Sequence, residues 1–112
     1  MESIQVLYSY QITLTRWLNV EIICSTHIPL GLDGVELIVN GSGSYFELRK
    51  ANVAVDLVRE AAKKSGGCYM FSNLRGCDGQ RILFNGASCI ALNGQIIGRT
   101  RQFSLEEVVR TF

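Results

Sequence analysis

Between Val35 and Asn73 the hydrophobic period changes twice, and that double change restricts the fold more than any other feature of the chain. "VELIVN" (Val35 to Asn40) is a continuous apolar run of strand length, suited to a sheet covered on both faces. From Glu47 to Lys64, Leu48, Ala51, Val55, Val58 and Ala62 recur three or four apart, which is one face of a helix. Arg49, Asn52, Asp56, Arg59, Lys63 and Lys64 fill the other positions. Lys63 and Lys64 suit the negative end of the helix dipole, and Gly66-Gly67 supplies a left-handed stop. "CYMFSN" (Cys68 to Asn73) then reads as a second buried strand. Strand, helix, strand in that order is an α/β layered pattern in which helices cover a sheet.

The flanks extend the pattern. Ile4, Val6, Tyr8, Tyr10, Ile12 and Leu14 alternate with polar residues, as a half-buried strand does, and Val20 to Cys24 is a second apolar patch. His27 and Pro29 are expected in a loop leading to a turn at Leu32-Asp33-Gly34. "GSGS" (Gly41 to Ser44) ends the VELIVN strand. A turn from Gly76 to Gly79 leads into "RILF" (Arg81 to Phe84), and Asn93-Gly94 between apolar runs is a strong hairpin signal. Ser104 and Glu107 form a capping box, but too few residues follow for a stable helix.

Composition excludes several classes. In 112 residues, 47% hydrophobic and 19% charged, there is apolar material for one core, and a net charge of +1 gives no field for nucleic acid or acidic membranes. No apolar run approaches the ~20 residues of a membrane span. The cysteines Cys24, Cys68, Cys77 and Cys89 form no C-x-x-C pair, and His27 is the single histidine, so a zinc site is poorly supplied. The core-like composition and the N-terminus, which lacks a secretory pattern, point to reduced thiols in a cytoplasmic protein.

Four places carry chemistry. A reactive cysteine needs a partner that lowers its pKa. Cys77 sits in a glycine-rich turn near Arg75, where a small buried or turn residue is the simpler reading. Cys24 ends an apolar run, as a strand-end nucleophile does, though a packed thiol is the simpler reading; Cys68 and Cys89 lie within strand patterns and read as core. His27 is a loop residue or a base. "NGSGSY" lacks the lysine and spacing of a phosphate-binding loop. It does place Ser42 and Ser44 before Arg49 and Lys50 at a helix start, and such hydroxyls, N–H groups and cations suit a carboxylate.

Several stretches in order carry a resemblance: "STHIPLGLDGVELIVNGSGSYFELRKAN", "GGCYMFSNLRGCDGQRILFNGASCIALNG" and "RQFSLEEV". Together, from Ser25 to Val108, they resemble the glutaminase domain of eukaryotic-type glutamine-dependent NAD synthetases, in the nitrilase superfamily. The resemblance implies part of a four-layer α-β-β-α sandwich, with residues 25–112 as the C-terminal half of the domain and residues 1–24 as an unmatched segment containing a strand. It implies glutamine hydrolysis by a glutamate, a lysine and a cysteine nucleophile. The family nucleophile lies in a C-E-E-L-W motif several residues upstream of the stretch matching Ser25 to Ile28, so Cys24 is misplaced for it. The glutamate and lysine belong to the other half of the domain.

What carries over is a substrate wall: Ser44 matches the last serine of N-x-S-G-S, and Lys50 aligns with a basic position contacting substrate. Arg75, Gly76, Cys77, Asp78 and Gly79 match a loop signature near the site, which makes Cys77 a loop residue and not the nucleophile. Tyr45-Phe46 and Asn85 depart from the family's usual residues. The implied function is a fragment or truncated form of a glutamine-hydrolysing NAD synthase, inactive alone. Its partner would be glutamine, with homo-oligomers in the full-length family and neither nucleic acid nor membrane. No cofactor is expected in this chain; ATP and magnesium belong to a separate synthetase domain. The alternatives are a catalytically inactive protein docking on a full-length relative, and another carbon–nitrogen hydrolase. A sandwich cut in half also implies an uncovered sheet face.

Overall fold

The computed structural model describes Ile4–Tyr8 and residues 27–106. In chain order the elements are β1 (Ile4–Tyr8), α1 (His27–Leu32), β2 (Leu37–Ser42), α2 (Ala51–Ser65), β3 (Cys68–Asn73), β4 (Arg75–Cys77), β5 (Leu83–Asn85), β6 (Cys89–Leu92) and β7 (Gln95–Arg99). Strands β1, β2, β3, β6 and β7 form one sheet in that order, and β4 and β5 form a separate two-stranded ribbon. β1, β2 and β3 run parallel, whereas β3–β6 and β6–β7 are antiparallel. Helix α2 is the crossover between the parallel neighbours β2 and β3, a connection that parallel strands require.

Register sorts the side chains. Ile38 and Asn40 of β2 stand opposite Tyr69 and Phe71 of β3, which stand opposite Ala91 and Cys89 of β6. All six are buried; five of them, with Val35 and with Val55, Val58, Ala61 and Ala62 of α2, make the hydrophobic core, and the sixth, Asn40, donates to the Tyr69 hydroxyl at 3.1 Å. Each fully buried Val, Ile or Phe side chain contributes roughly 1.5–3 kcal/mol relative to exposure, so the α2 stripe holds the helix on the sheet more firmly than helix propensity could. On the opposite face, among the described residues, Met70, Leu92 and Ile97 are 36%, 42% and 44% exposed.

The turn after α2 fixes the β2–β3 register. Gly66 and Gly67 both have positive φ (75° and 73°), as the expected left-handed stop requires. At Gly67 the reason is also steric, since an added Cβ would lie 2.1 Å from the Glu36 carbonyl oxygen. That oxygen accepts the Cys68 N–H at 2.7 Å, the hydrogen bond that starts the ladder. At the other turn, Asn93 (φ 48°) and Gly94 (φ 84°) join β6 to β7 as the expected two-residue hairpin.

Several boundaries differ from expectation. His27 and Pro29 lie in α1 and not in a loop; proline is tolerated in a helix's first turn, and the Asp33 and Val35 N–H groups close the helix on the Pro29 and Leu30 carbonyls at 3.0 Å. Helix α2 begins at Ala51 and not near Glu47, because Arg49 takes φ 65° and breaks the helical path, leaving Leu48 84% exposed. β2 runs two residues later than VELIVN, through Gly41 and Ser42. β3 occupies the expected span but is buried on one face alone, with Met70 and Ser72 exposed. Of the long N-terminal alternation, Ile4–Tyr8 is a strand; the remainder of it, the Val20 to Cys24 patch and Glu107 of the capping box lie outside the described residues.

Candidate functional site

The site predicted from sequence gathers where β2 and β3 end. Their last registered pair is Ser42 and Asn73, after which the chains separate. Ser44, two residues past the end of β2, is held by the Asn73 side chain: its N–H donates to Asn73 Oδ1 at 2.8 Å, and its carbonyl accepts Asn73 Nδ2 at 3.0 Å. The β4–β5 hairpin closes over the same stretch through Phe46 N–H to the Leu83 carbonyl at 2.7 Å, just beyond the last β2–β3 rung, Leu74 N–H to the Ser42 carbonyl at 2.8 Å. Phe46 stacks edge-on against Phe103, with ring centroids 5.1 Å apart.

Lys50 stands at the N-cap position of α2, yet no side chain caps the helix there. Its ammonium pairs with Glu47 at 2.7 Å and lies 4.8 Å from the centre of the Tyr45 ring. The ion pair keeps a cation next to the Ser44 stretch and orients it through a carboxylate and an aromatic face. No hydrogen bond joins Ser44 to Lys50; Tyr45 and Glu47 link them along the chain. A partly exposed i,i+3 pair contributes only a few tenths of a kcal/mol, so exchanging Glu47 for another carboxylate would cost little.

The segment Arg75 to Gly79 forms the outer strand and turn of the hairpin and is exposed throughout. Asp78 organises it. Asp78 Oδ1 accepts the N–H groups of Gln80, Arg81 and Ile82 at 2.9–3.0 Å, and the Gln80 and Ile82 bonds foremost hold its carboxyl below the usual carboxylate range. Cys77 Sγ accepts the Gly79 N–H at 3.3 Å and lies 3.8 Å from Asp78 Oδ1. The side chain is exposed, which corrects the buried reading and keeps the turn reading. Gly76 takes φ 133°, a conformation that favours glycine. The Arg75 guanidinium donates to the Glu106 carbonyl, and its stem flanks Gly86.

Cys24 lies outside the described residues. Cys89 is buried and its thiol is pushed up to about 11 by burial; burial also raises Cys68. His27 sits on α1 with its ring edge toward Tyr69, centroids 6.5 Å apart, and burial first, then the Lys64 ammonium, lower its pKa. Among the described residues no group of three His, Cys, Asp or Glu side chains is placed to hold a metal ion, and no helix is long and apolar enough to cross a membrane.

Sequence reasoning missed Asn73. It donates its own N–H to Ser88 Oγ (3.0 Å), and its amide reaches Gly86 O (2.9 Å) and Asn85 Oδ1 (3.3 Å) as well as Ser44. Asn85, buried, passes the chain of bonds on to Gln102 Oε1 at 3.1 Å. Asn73 also lines a cleft of about 220 Å³, together with Ser72, Arg75, Ser88, Thr100 and Arg101. The signal for Asn73 was a single amide at a strand end, with partners 29 residues away.

A three-stranded parallel core with an antiparallel extension, helices on one face and a polar wall at the strand ends define a class: residues 24–111 match the carbon-nitrogen hydrolase model, and the chain belongs to that family. The nearer likeness is to the glutamine-dependent NAD(+) synthetases. The chain is 60% identical over 99 residues to that of Drosophila melanogaster and 51% identical over 84 residues to that of Homo sapiens, which is 88% and 75% of this chain. It spans about an eighth of those relatives, 12% of each. Among solved structures, the glutamine-dependent NAD(+) synthetase of Cytophaga hutchinsonii superposes with TM-score 0.65 at 29% identity over 68% of this chain and 13% of that one. A nitrilase-superfamily amidase of Nesterenkonia superposes with TM-score 0.68 over 90% of this chain and 34% of that one; at 17% identity it speaks for the fold alone. The nitrilase-type α/β fold expected from the motifs is thereby established.

Proposed function

We propose that this chain supplies the glutamine-contacting wall of a glutamine-hydrolysing unit serving an NAD synthetase. The observation that carries the reading is the 60% identity with the Drosophila synthetase across a span that includes Ser44, Lys50 and the β4–β5 hairpin. In the complete unit a cysteine thiolate attacks the glutamine side-chain amide, a glutamyl thioester forms and ammonia leaves; water then releases glutamate. Ammonia passes on to amidate nicotinate adenine dinucleotide. Nucleophile, general base, ATP and magnesium are all assigned outside the described residues. The part of this chain is to bind: Lys50 faces the substrate carboxylate, and the Ser44 stretch shapes the wall.

The test is a chimera in which the matching region of the Drosophila synthetase is replaced by this chain's residues. It should form NAD with glutamine as nitrogen donor. Lys50→Ala should then raise the KM for glutamine roughly ten- to a hundred-fold, the loss of a charge-assisted contact of about 1.5–3 kcal/mol, while ammonia-dependent synthesis is spared. Equal loss of both activities would make Lys50 structural and remove it from the site. A second reading, an inactive protein that docks on a full-length relative, would use the exposed apolar side chains Met70, Leu92 and Ile97 as its contact. Stoichiometric co-purification of the separate chain with the Drosophila enzyme, lost with Met70→Lys and Leu92→Lys, would support it.

A further inference from the structure

The Asn73 side chain does the work of a missing peptide group. Leu74 N–H to the Ser42 carbonyl is the last rung of the β2–β3 ladder; the Leu74 carbonyl then accepts the Gly86 N–H at 3.0 Å as the chain departs into β4, so it is not offered to Ser44. Ser44 would there keep an unpaired N–H and C=O in a half-buried position, which is costly. The Asn73 amide meets both, at 2.8 and 3.0 Å, in a two-bond ring resembling one more rung of sheet. The remaining bonds fix its orientation. Nδ2 also donates to Gly86 O at 2.9 Å, so a flipped amide would set its oxygen against two carbonyl oxygens. The same residue's N–H is tied to Ser88 Oγ on the approach to β6. One side chain therefore locks the Ser44 stretch to the base of the β4–β5 hairpin and to the central sheet.

We infer that Asn73 is a positioning residue for glutamine binding, acting through Ser44 without touching substrate; the inference rests on the glutamine-site reading of Ser44 given above. Only an amide of this length serves. Aspartate would offer oxygens to the Ser44 and Gly86 carbonyls in place of donors, leucine would offer nothing, and glutamine would overreach by a methylene.

In the Drosophila chimera, Asn73→Leu and Asn73→Asp should raise the KM for glutamine by about ten- to a hundred-fold, leaving ammonia-dependent turnover within about two-fold. Val58→Ala opens a cavity in the helix–sheet core away from the strand ends. It should lower Tm comparably yet leave the glutamine KM unchanged, which separates positioning from general destabilisation. Hydrogen exchange supplies the second arm: the peptide containing Ser44 should exchange faster in both Asn73 variants and not in Val58→Ala. An unchanged glutamine KM in the Asn73 variants, a KM that rises equally in Val58→Ala, or parallel loss of ammonia-dependent activity overturns the inference. If the parent chimera uses ammonia but not glutamine, the functional reading fails by itself. The exchange arm still decides on Asn73, because unchanged protection of Ser44 would refute the clamp.

Discussion

Replacing Gly67 by alanine should unfold the chain at far lower denaturant than replacing Gly34, although both glycines have positive φ. Gly34, at φ 85°, has nothing within 4 Å of an added Cβ, so Gly34→Ala isolates the backbone strain, about 1–2 kcal/mol. Gly67, at φ 73°, adds a collision. Its Cβ would stand 2.1 Å from the Glu36 carbonyl oxygen and 2.9 Å from the carbonyl carbon. Backbone cannot rotate away as a side-chain tip can, so β2 and the turn must part by about an ångström. The Cys68 N–H to Glu36 bond, 2.7 Å, then breaks, at a cost of about 1 kcal/mol, and the repacking costs about 1–3 more. The total is about 3–6 kcal/mol, a large share of the ~5–15 kcal/mol that holds an ordinary domain. The assay is urea unfolding of parent, Gly34→Ala and Gly67→Ala at one protein concentration, so that any association of native chains cancels between them. At about 1.5 kcal/mol per molar urea, the midpoint should fall by about 2–4 M for Gly67→Ala and by about 1 M for Gly34→Ala. Equal shifts for the two would refute the steric argument and leave only the φ preference. A functional consequence follows, because the Glu36–Cys68 rung sets the register that places Asn73 opposite Ser42 and so beside Ser44.

Of the three described cysteines, thiol alkylation at neutral pH should modify the exposed Cys77 first and Cys89 last, since Cys89 is 2% exposed and its thiol is raised to about 11; peptide mass spectrometry that found Cys89 labelled as fast as Cys77 would contradict the packing of β6. His27 has a folded-state pKa below its ordinary 6.5, so its contribution to stability is full above that value and is lost as pH falls through the lowered pKa. The urea midpoint should therefore decline on acidification below about pH 6.5 less steeply in His27→Gln than in the parent, and identical slopes would exclude His27 as the cause. The chain by itself should release no glutamate from glutamine. Cys68 and Cys89 have raised thiol pKa values, and the acceptor the structure records for the Cys77 thiol, 3.8 Å away, is the Asp78 carboxylate, whose proton affinity is lowered by three N–H bonds. Activity that disappeared with Cys77→Ala would sink this argument, and activity lost with Cys24→Ala would make Cys24 a nucleophile.

The sequence made the fold legible where a local rule was strong and hid it where the decisive partner was distant. β3 begins and ends where expected because two glycines must precede it, one of them forced by the Glu36 carbonyl. The β6–β7 turn follows from Asn93-Gly94 for the same kind of reason. Helix α2 was read one turn too early because Leu48 falls on the apolar period; the signal against it was conformational, a left-handed Arg49, and no residue type announces that. Helix α1 is six residues long, too short for a period to show, and its proline reads as a loop until its place in the first turn is known. The site divides in the same way. Ser44, Lys50 and the Arg75 to Gly79 loop were visible as motifs, while what holds Ser44 in place was not. Strand patterns describe backbone pairing, and at the end of β3 the pairing is completed by a side chain. A polar residue at a strand end therefore carries two readings that the chain alone cannot separate, a solvated terminus or a rung made of side-chain atoms. Burial, and the need to satisfy an N–H and a carbonyl 29 residues away, decide for the second at Asn73.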